Sequence, residues 1–284
     1  MDNSEDLRQY APATDRNREP ILAILQQVLQ STGTILEISS GTGEHGVFMA
    51  PQLAPRYWLP SDPSPEARAS IAAWQKFEPC DRMYPPIDLD ASSDQWLLKS
   101  KEPITAIVNI NMIHIAPRSA YLGLFAGAKR ILPVGGILYL YGPFKQDGVH
   151  AAPSNAAFDE SLQSRNPAWG VRDLEEIIAV ATSHKLELQQ VYPMPANNLS
   201  VVFKLVEWSP FGIAFFRSRH SVNIEVYFID RPMKLTVIIH EAIEGGYWAE
   251  VPAIPVCATE GDSWDELMSN LHEAIEGCLS IIAN

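Results

Sequence analysis

From Arg16 to Glu207 short apolar runs alternate with segments whose apolar residues recur every three or four positions. Ile35, Leu36 and Ile38 predict a short buried strand, and Val47 to Leu53 a helix behind it. Tyr57, Trp58 and Leu59 read as the next strand, and further strands are expected at Ile104–Asn109, Ile137–Tyr141, Leu186–Tyr192 and Leu199–Leu205. A first helix is expected over Glu19–Gln30, with Pro20 near its first turn and Ile21, Leu22, Ile24, Leu25, Val28 and Leu29 on its buried face. Other helices are expected around Pro65–Lys76, Ser119–Ile131 and Val171–Ser183. Such alternation is what a parallel sheet with helical crossovers requires. The last two strands, separated by Pro193, Pro195, Asn197 and Asn198, are close enough to pair as a hairpin.

The stretch TILEISSGTGEHG, Thr34 to Gly46, adds chemistry to the pattern. Gly41, Gly43 and Gly46 satisfy G-x-G-x-x-G between a strand and a helix, and Asp62 ends the next strand, where an acid holds ribose hydroxyls. Alone, this implies a nicotinamide dinucleotide. Glu37 argues otherwise, because a carboxylate just beneath the loop repels a pyrophosphate. S-adenosylmethionine has no phosphate and carries an ammonium and a sulfonium, so Glu37 fits the methyl donor better. The competing reading is a strand acid that only caps a neighbouring helix.

Length and charge set the bounds. A chain of 284 residues can bury roughly three quarters of its unfolded surface and divides naturally into one large and one small domain. Its net charge of -13 and its unclustered Lys and Arg oppose binding to a nucleic-acid backbone. Cys80, Cys257 and Cys278 match no zinc spacing, so neither a metal site nor a disulfide is indicated. The polar, acidic start MDNSEDLRQY resembles no signal peptide, and no apolar run is long enough to span a bilayer. A cytoplasmic location is expected.

A different pattern begins at Met233: strand, Gly-Gly turn, strand, a short loop or third strand, then a helix after Asp262 or Ser263. Ser263 and Glu266 have capping-box spacing. Residues 207–232 are too apolar for a flexible linker, and Val222 to Ile229 read as an edge strand needing cover.

The motifs SSGTGEH, SDPSPEARASIAAW, NINMIHIAP, LYGPF, APSNAAFDESL, WGVRDLE and MPANNL, in that order, resemble the DUF938 family, which includes the methyltransferase-like 26 proteins, over roughly residues 8 to 206. The resemblance implies an α/β fold, a Rossmann-like class I methyltransferase sandwich whose mainly parallel seven-stranded sheet ends in an antiparallel hairpin. It also implies S-adenosyl-L-methionine as cofactor and leaves the acceptor undefined. Carried onto these positions, the class I pattern has Glu37 hold the methionine amino group, Gly41 and Gly43 give close backbone approach, and Asp62 accept the ribose hydroxyls. Asp90, with Asp88 as its rival, is expected near the adenine amino group. Asn111, Ile113 and His114 follow the strand whose carboxyl end exposes the methyl group. His114 is the candidate general base, with a hydrogen-bonded structural histidine as the alternative. Asn111 is the candidate acceptor of a hydrogen bond from an amine nucleophile, yet NINMIH is not the N/D-P-P-Y/F signature of nucleobase amino-methylases. Tyr141, Phe144, Asn155, Phe158, Trp169 and Arg172 lie where class I enzymes build the acceptor lid, and suit a small organic substrate. For Phe158 and Trp169 the alternative is helix packing; for Arg172 it is a surface ion pair. Tyr10, Arg16 and Asn17 form a polar cluster that either folds over the cofactor or caps the first helix.

YWAEVPAIP, the run Cys257 to Gly261 and NLHEAIEG resemble the HicB antitoxin family over about 50 residues, with Val256 standing where that family commonly has glycine. This implies a small α+β HicB-like domain at 233–284 after a methyltransferase-like domain at 1–206 and a connecting segment at 207–232. A basic HicA-like toxin, or self-association through 207–284, is the implied partner; an acidic module suits a basic toxin. Three functions from different classes follow: a small-molecule methyltransferase with an appended binding module, a regulatory or antitoxin-type protein that only binds S-adenosylmethionine, and a nicotinamide oxidoreductase, which Glu37 and the hairpin oppose.

Overall fold

The computed structural model describes residues 6–98, 100–206, 212–218, 221–228, 231–241, 246–254 and 257–282, with backbone alone for 212–234, 241 and 279–282. The chain divides into two compact units, Met1–Glu207 and Trp208–Asn284.

The first unit runs α1 (Thr14–Val28), β1 (Thr34–Ile38), α2 (Glu44–Gln52), β2 (Tyr57–Ser61), α3 (Pro65–Phe77), β3 (Ile104–Ile110), a 3-10 turn (Met112–His114), α4 (Arg118–Ile131), β4 (Ile137–Gly142), the short hairpin β5 (Lys145–Gln146) and β6 (Val149–His150), α5 (Pro153–Arg165), α6 (Leu174–Ser183), β7 (Leu186–Met194) and β8 (Asn198–Leu205). The main sheet has the order β2-β1-β3-β4-β8-β7. β2, β1, β3 and β4 are parallel to one another, whereas β8 is antiparallel to both β4 and β7. Strand alternation buries both faces. Leu36, Ile107, Leu138 and Phe203 pack under Leu124 and Phe125 of α4 and Ile177 of α6. Ile35, Val108, Tyr139 and Val202 pack under Ile21 and Leu25 of α1, Met49 of α2 and Ile71 of α3. Each such fully buried aliphatic side chain contributes about 1.5–3 kcal/mol.

The sheet has six strands among the described residues rather than the expected seven. Beside β2, Met83 and Ile87 make isolated parallel bridges to Trp58 and Ser61, so the chain occupies the outer position without forming a ladder. Pro85 and Pro86 supply the reason, since neither has an N–H to donate. α1 starts five residues earlier than the apolar period indicates, because its first turn, Thr14–Asn17, is polar, and Pro20 consequently lies inside the helix. α5 has no counterpart among the expected helices: Asn155 and Asp159 are buried on it beside Leu162, so its inward face carries no apolar period.

The second unit is an antiparallel sheet of order β13-β12-β11-β10-β9, built from β9 (Gly212–Ser218), β10 (Ser221–Phe228), β11 (Arg231–Glu241), β12 (Tyr247–Glu250) and β13 (Ala258–Gly261), followed by α7 (Trp264–Ile282). Leu267, Leu271 and Ile275 of α7 pack on Leu235, Val237, Ala249 and Val251. Ser263 Oγ accepts from Glu266 N at 3.2 Å while Glu266 Oε2 accepts from Asp262 N at 3.0 Å, which caps the helix start. The stretch read as a connecting segment supplies β9 and β10, and β10 runs inside the sheet between β9 and β11 rather than at its edge. Gly245 of the Gly-Gly turn and Val256 lie outside the described residues.

Candidate cofactor and acceptor site

The carboxyl ends of β1, β2, β3 and β4 converge at the glycine loop. The three glycines serve different ends. A Cβ on Gly43, whose φ is +93°, would sit 2.8 Å from the Ile71 Cα, and one on Gly46 would sit 2.6 Å from Met83 Cε, so both are packing glycines. A Cβ on Gly41, with φ +56°, would meet nothing within 4 Å. Gly41 is therefore the loop position at which backbone is open to a ligand.

Beneath the loop the Glu37 side chain is buried, and its Oε2 accepts from Trp58 Nε1 at 3.0 Å. Burial pushes its pKa up to about 7 against the lowering effect of hydrogen bonds from Ser40 and Trp58, and the Asp62 charge adds to the rise. Asp62, also buried, accepts from the backbone N–H of Gly41 at 3.0 Å and of Ser64 at 2.9 Å, which ties the β2 end to the loop. Asn109, at the end of β3, is 0% exposed; its Nδ2 donates to the Ile38 carbonyl at 3.0 Å and its Oδ1 has no partner. A buried acceptor without a donor costs about 1–3 kcal/mol. The sequence reading passed over Asn109 because it stands in the apolar strand ITAIVNI, where one polar residue at the carboxyl end was the available signal.

Asp90 and Asp88 are both exposed. One Asp90 oxygen accepts from Ser92 N at 2.8 Å and Ser92 Oγ at 2.7 Å, whereas Asp88 pairs with Arg68 at 3.2 Å. The Asp90 loop is held against α4 at Gly123, where a Cβ would sit 2.2 Å from the Ala91 carbonyl oxygen.

After β3, Asn111 takes a left-handed conformation with φ 65°, and its N–H donates to the Tyr141 carbonyl at 2.8 Å. A Cβ on Gly142 would lie 2.5 Å from His114 Nε2 and 3.1 Å from Asn111 Oδ1, so both side chains rest against the end of β4 because residue 142 is glycine. His114 is fully buried, and the Arg172 backbone N–H donates to its Nδ1 at 3.3 Å. That assignment puts the ring hydrogen on Nε2, which has no partner. Burial, reinforced by the Arg172 charge, pushes the imidazole down to about 3, with Asp159 and Gly170 acting in the opposite sense. The geometry argues against the expected general-base role: the one lone pair of the neutral ring is engaged with a backbone amide, and Nε2–H is a donor.

The residues expected in the acceptor lid divide. Tyr141 is buried at the β4 end, where burial raises its phenol pKa. Phe144 stands edge-on to His114 at 5.0 Å. Asn155 Nδ2 donates to the Asn197 carbonyl at 3.0 Å, joining α5 to the turn between β7 and β8. Phe158 is exposed on α5, and Trp169 is half-buried beneath Arg165. Arg172 does not present its charge for a substrate and does not pair with a surface acid. Its Nε donates to the Ile113 carbonyl at 2.9 Å and its Nη2 to those of Ala116 and Ala168 at 2.8 and 3.0 Å, over the Tyr121 ring. Asp159, a residue the sequence reading missed, is the hub of this region. It is buried, pairs with Lys145 at 3.1 Å and His150 at 3.2 Å, and accepts from Val171 N at 2.8 Å and Gln163 Nε2 at 3.0 Å. Burial alone would raise its pKa; those donors outweigh burial and hold it below the usual range.

The amino-terminal segment packs on α2 and α3 beside the loop. Gln9 N donates to Ser70 Oγ at 2.8 Å, Ala11 N to Glu44 Oε2 at 2.6 Å, and Trp74 Nε1 to the Gln9 carbonyl at 3.0 Å. A cavity of about 330 Å³ lies elsewhere, between Leu29, Gly135, Ile137, Gln190 and Tyr192 toward the amino end of β4, and contains none of these groups. Among the described residues no helix is long and apolar enough to cross a membrane, and no cluster of three His, Cys, Asp or Glu is placed to hold a metal ion.

Solved structures share this architecture. Human N-acetylserotonin methyltransferase, in complex with SAM, matches with a TM-score of 0.58 at 10% identity over 69% of this chain and 53% of its own. An O-methyltransferase family 2 protein from Planctomyces limnophilus, in complex with apigenin, matches with a TM-score of 0.55 at 17% identity over 68% of this chain and 62% of its own. The chain thus spans between half and two thirds of those structures, and at these identities the likeness is one of fold. The first unit has the class I methyltransferase fold, an α/β architecture with a mostly parallel central sheet. The chain belongs to the DUF938 family, a protein family of unknown function whose model matches residues 8–205. A shorter likeness joins it to UPF0150 proteins. One from Archaeoglobus fulgidus is 40% identical over 52 residues, 18% of this chain and 75% of the relative. One from Synechocystis sp. is 44% identical over 46 residues, 16% of this chain and 67% of the relative.

Proposed function

We propose that the first unit binds S-adenosylmethionine and transfers its methyl group to a small organic molecule. The observation that carries this reading is the buried Glu37 carboxyl beneath the open Gly41 backbone. Glu37 and Asp62 are acceptors beside the loop, which suits a ligand that is cationic and rich in N–H and O–H donors and repels a pyrophosphate. The residues present therefore fit the methyl donor. Glu37 would hold its ammonium, Gly41 would let it approach the backbone, and Asp62 would take ribose hydroxyls. Bound there, the cofactor supplies an electrophilic methyl group on a sulfonium.

The chain's own residues would align the acceptor and exclude water. Asn111 and Tyr141 stand at the ends of β3 and β4, Asn111 as a hydrogen-bond acceptor for the nucleophile and Tyr141 in the acceptor wall, with Phe144 packed edge-on to His114. His114 Nε2–H, pressed against Gly142, would fix the wall rather than take a proton. Asp90 is a cofactor contact only through its second oxygen. Phe158, Trp169 and Asn155 belong to the same lid by position. The test is conversion of S-adenosylmethionine to S-adenosylhomocysteine in the presence of pooled small molecules, followed by mass spectrometry. A mass gain of one methyl in one pool member is expected; cofactor binding without turnover in any pool contradicts the enzymatic reading.

The committed His114 lone pair favours a second reading, in which the unit binds the cofactor as a signal. For the second unit, we infer a HicB-like module at 233–284 that binds a basic HicA-like protein or a second copy. The support is the UPF0150 likeness, together with nine acidic residues and one lysine between Met233 and Asn284. Co-purification with a co-expressed basic partner tests it, and unchanged monomeric elution with and without that partner counts against it.

A further inference from the structure

Two side chains join the amino-terminal strap, residues 6–13, to the glycine loop, and each serves both. Ser70 of α3, fully buried, accepts from the Gln9 N–H at 2.8 Å and donates to the Thr42 carbonyl at 2.7 Å. Glu44, the first residue of α2, accepts through one oxygen, Oε2, from the Ala11 N–H at 2.6 Å and from the Thr42 hydroxyl at 2.8 Å. Thr42 stands between Gly41 and Gly43. Its carbonyl and its hydroxyl are therefore both held by groups that the strap backbone also engages.

The direction of the bonds makes the two ends support each other. Ser70 has a single O–H, which it gives to Thr42, so it offers the strap its lone pairs. A hydroxyl that accepts one hydrogen bond is polarised into a stronger donor of the next, so the Gln9 bond reinforces the Thr42 bond. Glu44 adds charge-assisted bonds to the strap and to the loop from the same atom. The Thr42 carbonyl shares its peptide group with the Gly43 N–H, which donates to the Ser40 carbonyl at 3.1 Å. Because that group is planar, holding the carbonyl also aims the N–H. The loop peptide next to the open Gly41 backbone is thus braced from the strap side.

Little else fastens the strap. Leu7 and Tyr10 are 52% and 61% exposed. Trp74 Nε1 donates to the Gln9 carbonyl at 3.0 Å, Tyr10 meets the Trp74 ring edge-on at 5.1 Å, and Arg8 lies over the Phe77 ring at 3.7 Å. A segment with so little buried apolar surface opens at low free energy. If the docked strap favours the loop conformation that takes a ligand, a bound ligand must favour the docked strap by the same factor.

We propose that Glu44 and Ser70 are positioning residues of the cofactor loop, through which docking of the strap and occupancy of the loop favour each other. This rests on the reading of the loop as an S-adenosylmethionine site. Both residues act through Thr42 rather than on the cofactor.

The test is hydrogen exchange of the full chain, read by mass spectrometry over the strap and over the loop with and without saturating S-adenosylhomocysteine, alongside the affinity of that ligand by calorimetry. Without ligand, Ser70→Ala, Glu44→Ala and Ala11→Pro, which removes the strap donor, should each speed exchange across Gly41 to Gly43 several-fold. Ala11 lies outside every helix and strand, so Ala11→Pro keeps the test open should Ser70→Ala fail to fold. In the parent, ligand should slow exchange of the strap roughly tenfold, and the three substitutions should weaken the ligand roughly five- to tenfold. A loop whose exchange is unchanged in the variants, or a strap whose exchange is the same with and without bound ligand, overturns the proposal. S-adenosylhomocysteine that does not bind, with the loop still loosened in the variants, removes the cofactor reading and leaves the strap as the brace of the loop.

Discussion

The cofactor side of the first unit, at the ends of β1 to β3, and the lid side, after β4, are both rich in polar side chains but differ in what those side chains face. On the cofactor side Gly41 opens onto space and Asn109 Oδ1 has no partner. On the lid side Arg172 is bound to three carbonyls, Asp159 to four donors and Asn155 to the Asn197 carbonyl. Polar residues of the same types are thus left open to a ligand in one region and hold loops together in the other. Residue type does not separate these roles; hydrogen-bond satisfaction does.

Substitutions break the comparison in order of size. Gly43→Val, which forces a β-branched side chain into positive φ against the Ile71 backbone, should destabilise the fold by about 3 kcal/mol or more, read by denaturant unfolding. Asp159→Ala strands Lys145 and His150 and should cost about 2–3 kcal/mol while leaving cofactor affinity within about twofold. The opposite split is expected at Gly41. Asn tolerates left-handed backbone, so Gly41→Asn should barely move the unfolding midpoint yet weaken cofactor binding roughly tenfold by filling the open space. A further effect is in pH. The folded pKa of Glu37, about 7, lies above its ordinary value of 4.5, so the protein without ligand binds this proton more tightly than the unfolded chain. The Glu37 contribution to stability is fully present below about 4.5 and is lost as pH rises through about 7. Affinity for a cationic ligand should run the other way, rising over that window, and both trends should vanish in Glu37→Gln.

Much of the parallel sheet was legible because β1 to β4 are apolar runs buried on both faces, bounded by glycine and proline. The outer position beside β2 was not, since Pro85 and Pro86 interrupt its ladder. α5 escaped because its inward residues are polar, and with it the Asp159 hub, whose partners Lys145, His150, Gln163 and Val171 follow no local period. Glu37, Gly41 and Asp62 stood out because glycine loops need local sequence. Asn109 did not, because its signal is an unsatisfied atom. His114 stood out as a residue near neutral pKa, but full burial and an engaged Nδ1 are tertiary facts. In 212–228, β10 was legible from the run Val222 to Ile229 whereas β9 was not, and the pairing depends on a register that the sequence alone left open.

The central claim is that Glu37, Asp62 and the open Gly41 backbone form a site for an adenosyl cation rather than for a dinucleotide. Calorimetric titration of the full chain with S-adenosylmethionine, S-adenosylhomocysteine and NADH, repeated with Glu37→Ala and Asp62→Ala, tests it directly. Micromolar binding of both adenosyl ligands, lost in both variants, with no heat from NADH, is the predicted result. Binding of NADH, or adenosyl-ligand binding that survives both substitutions, would contradict it.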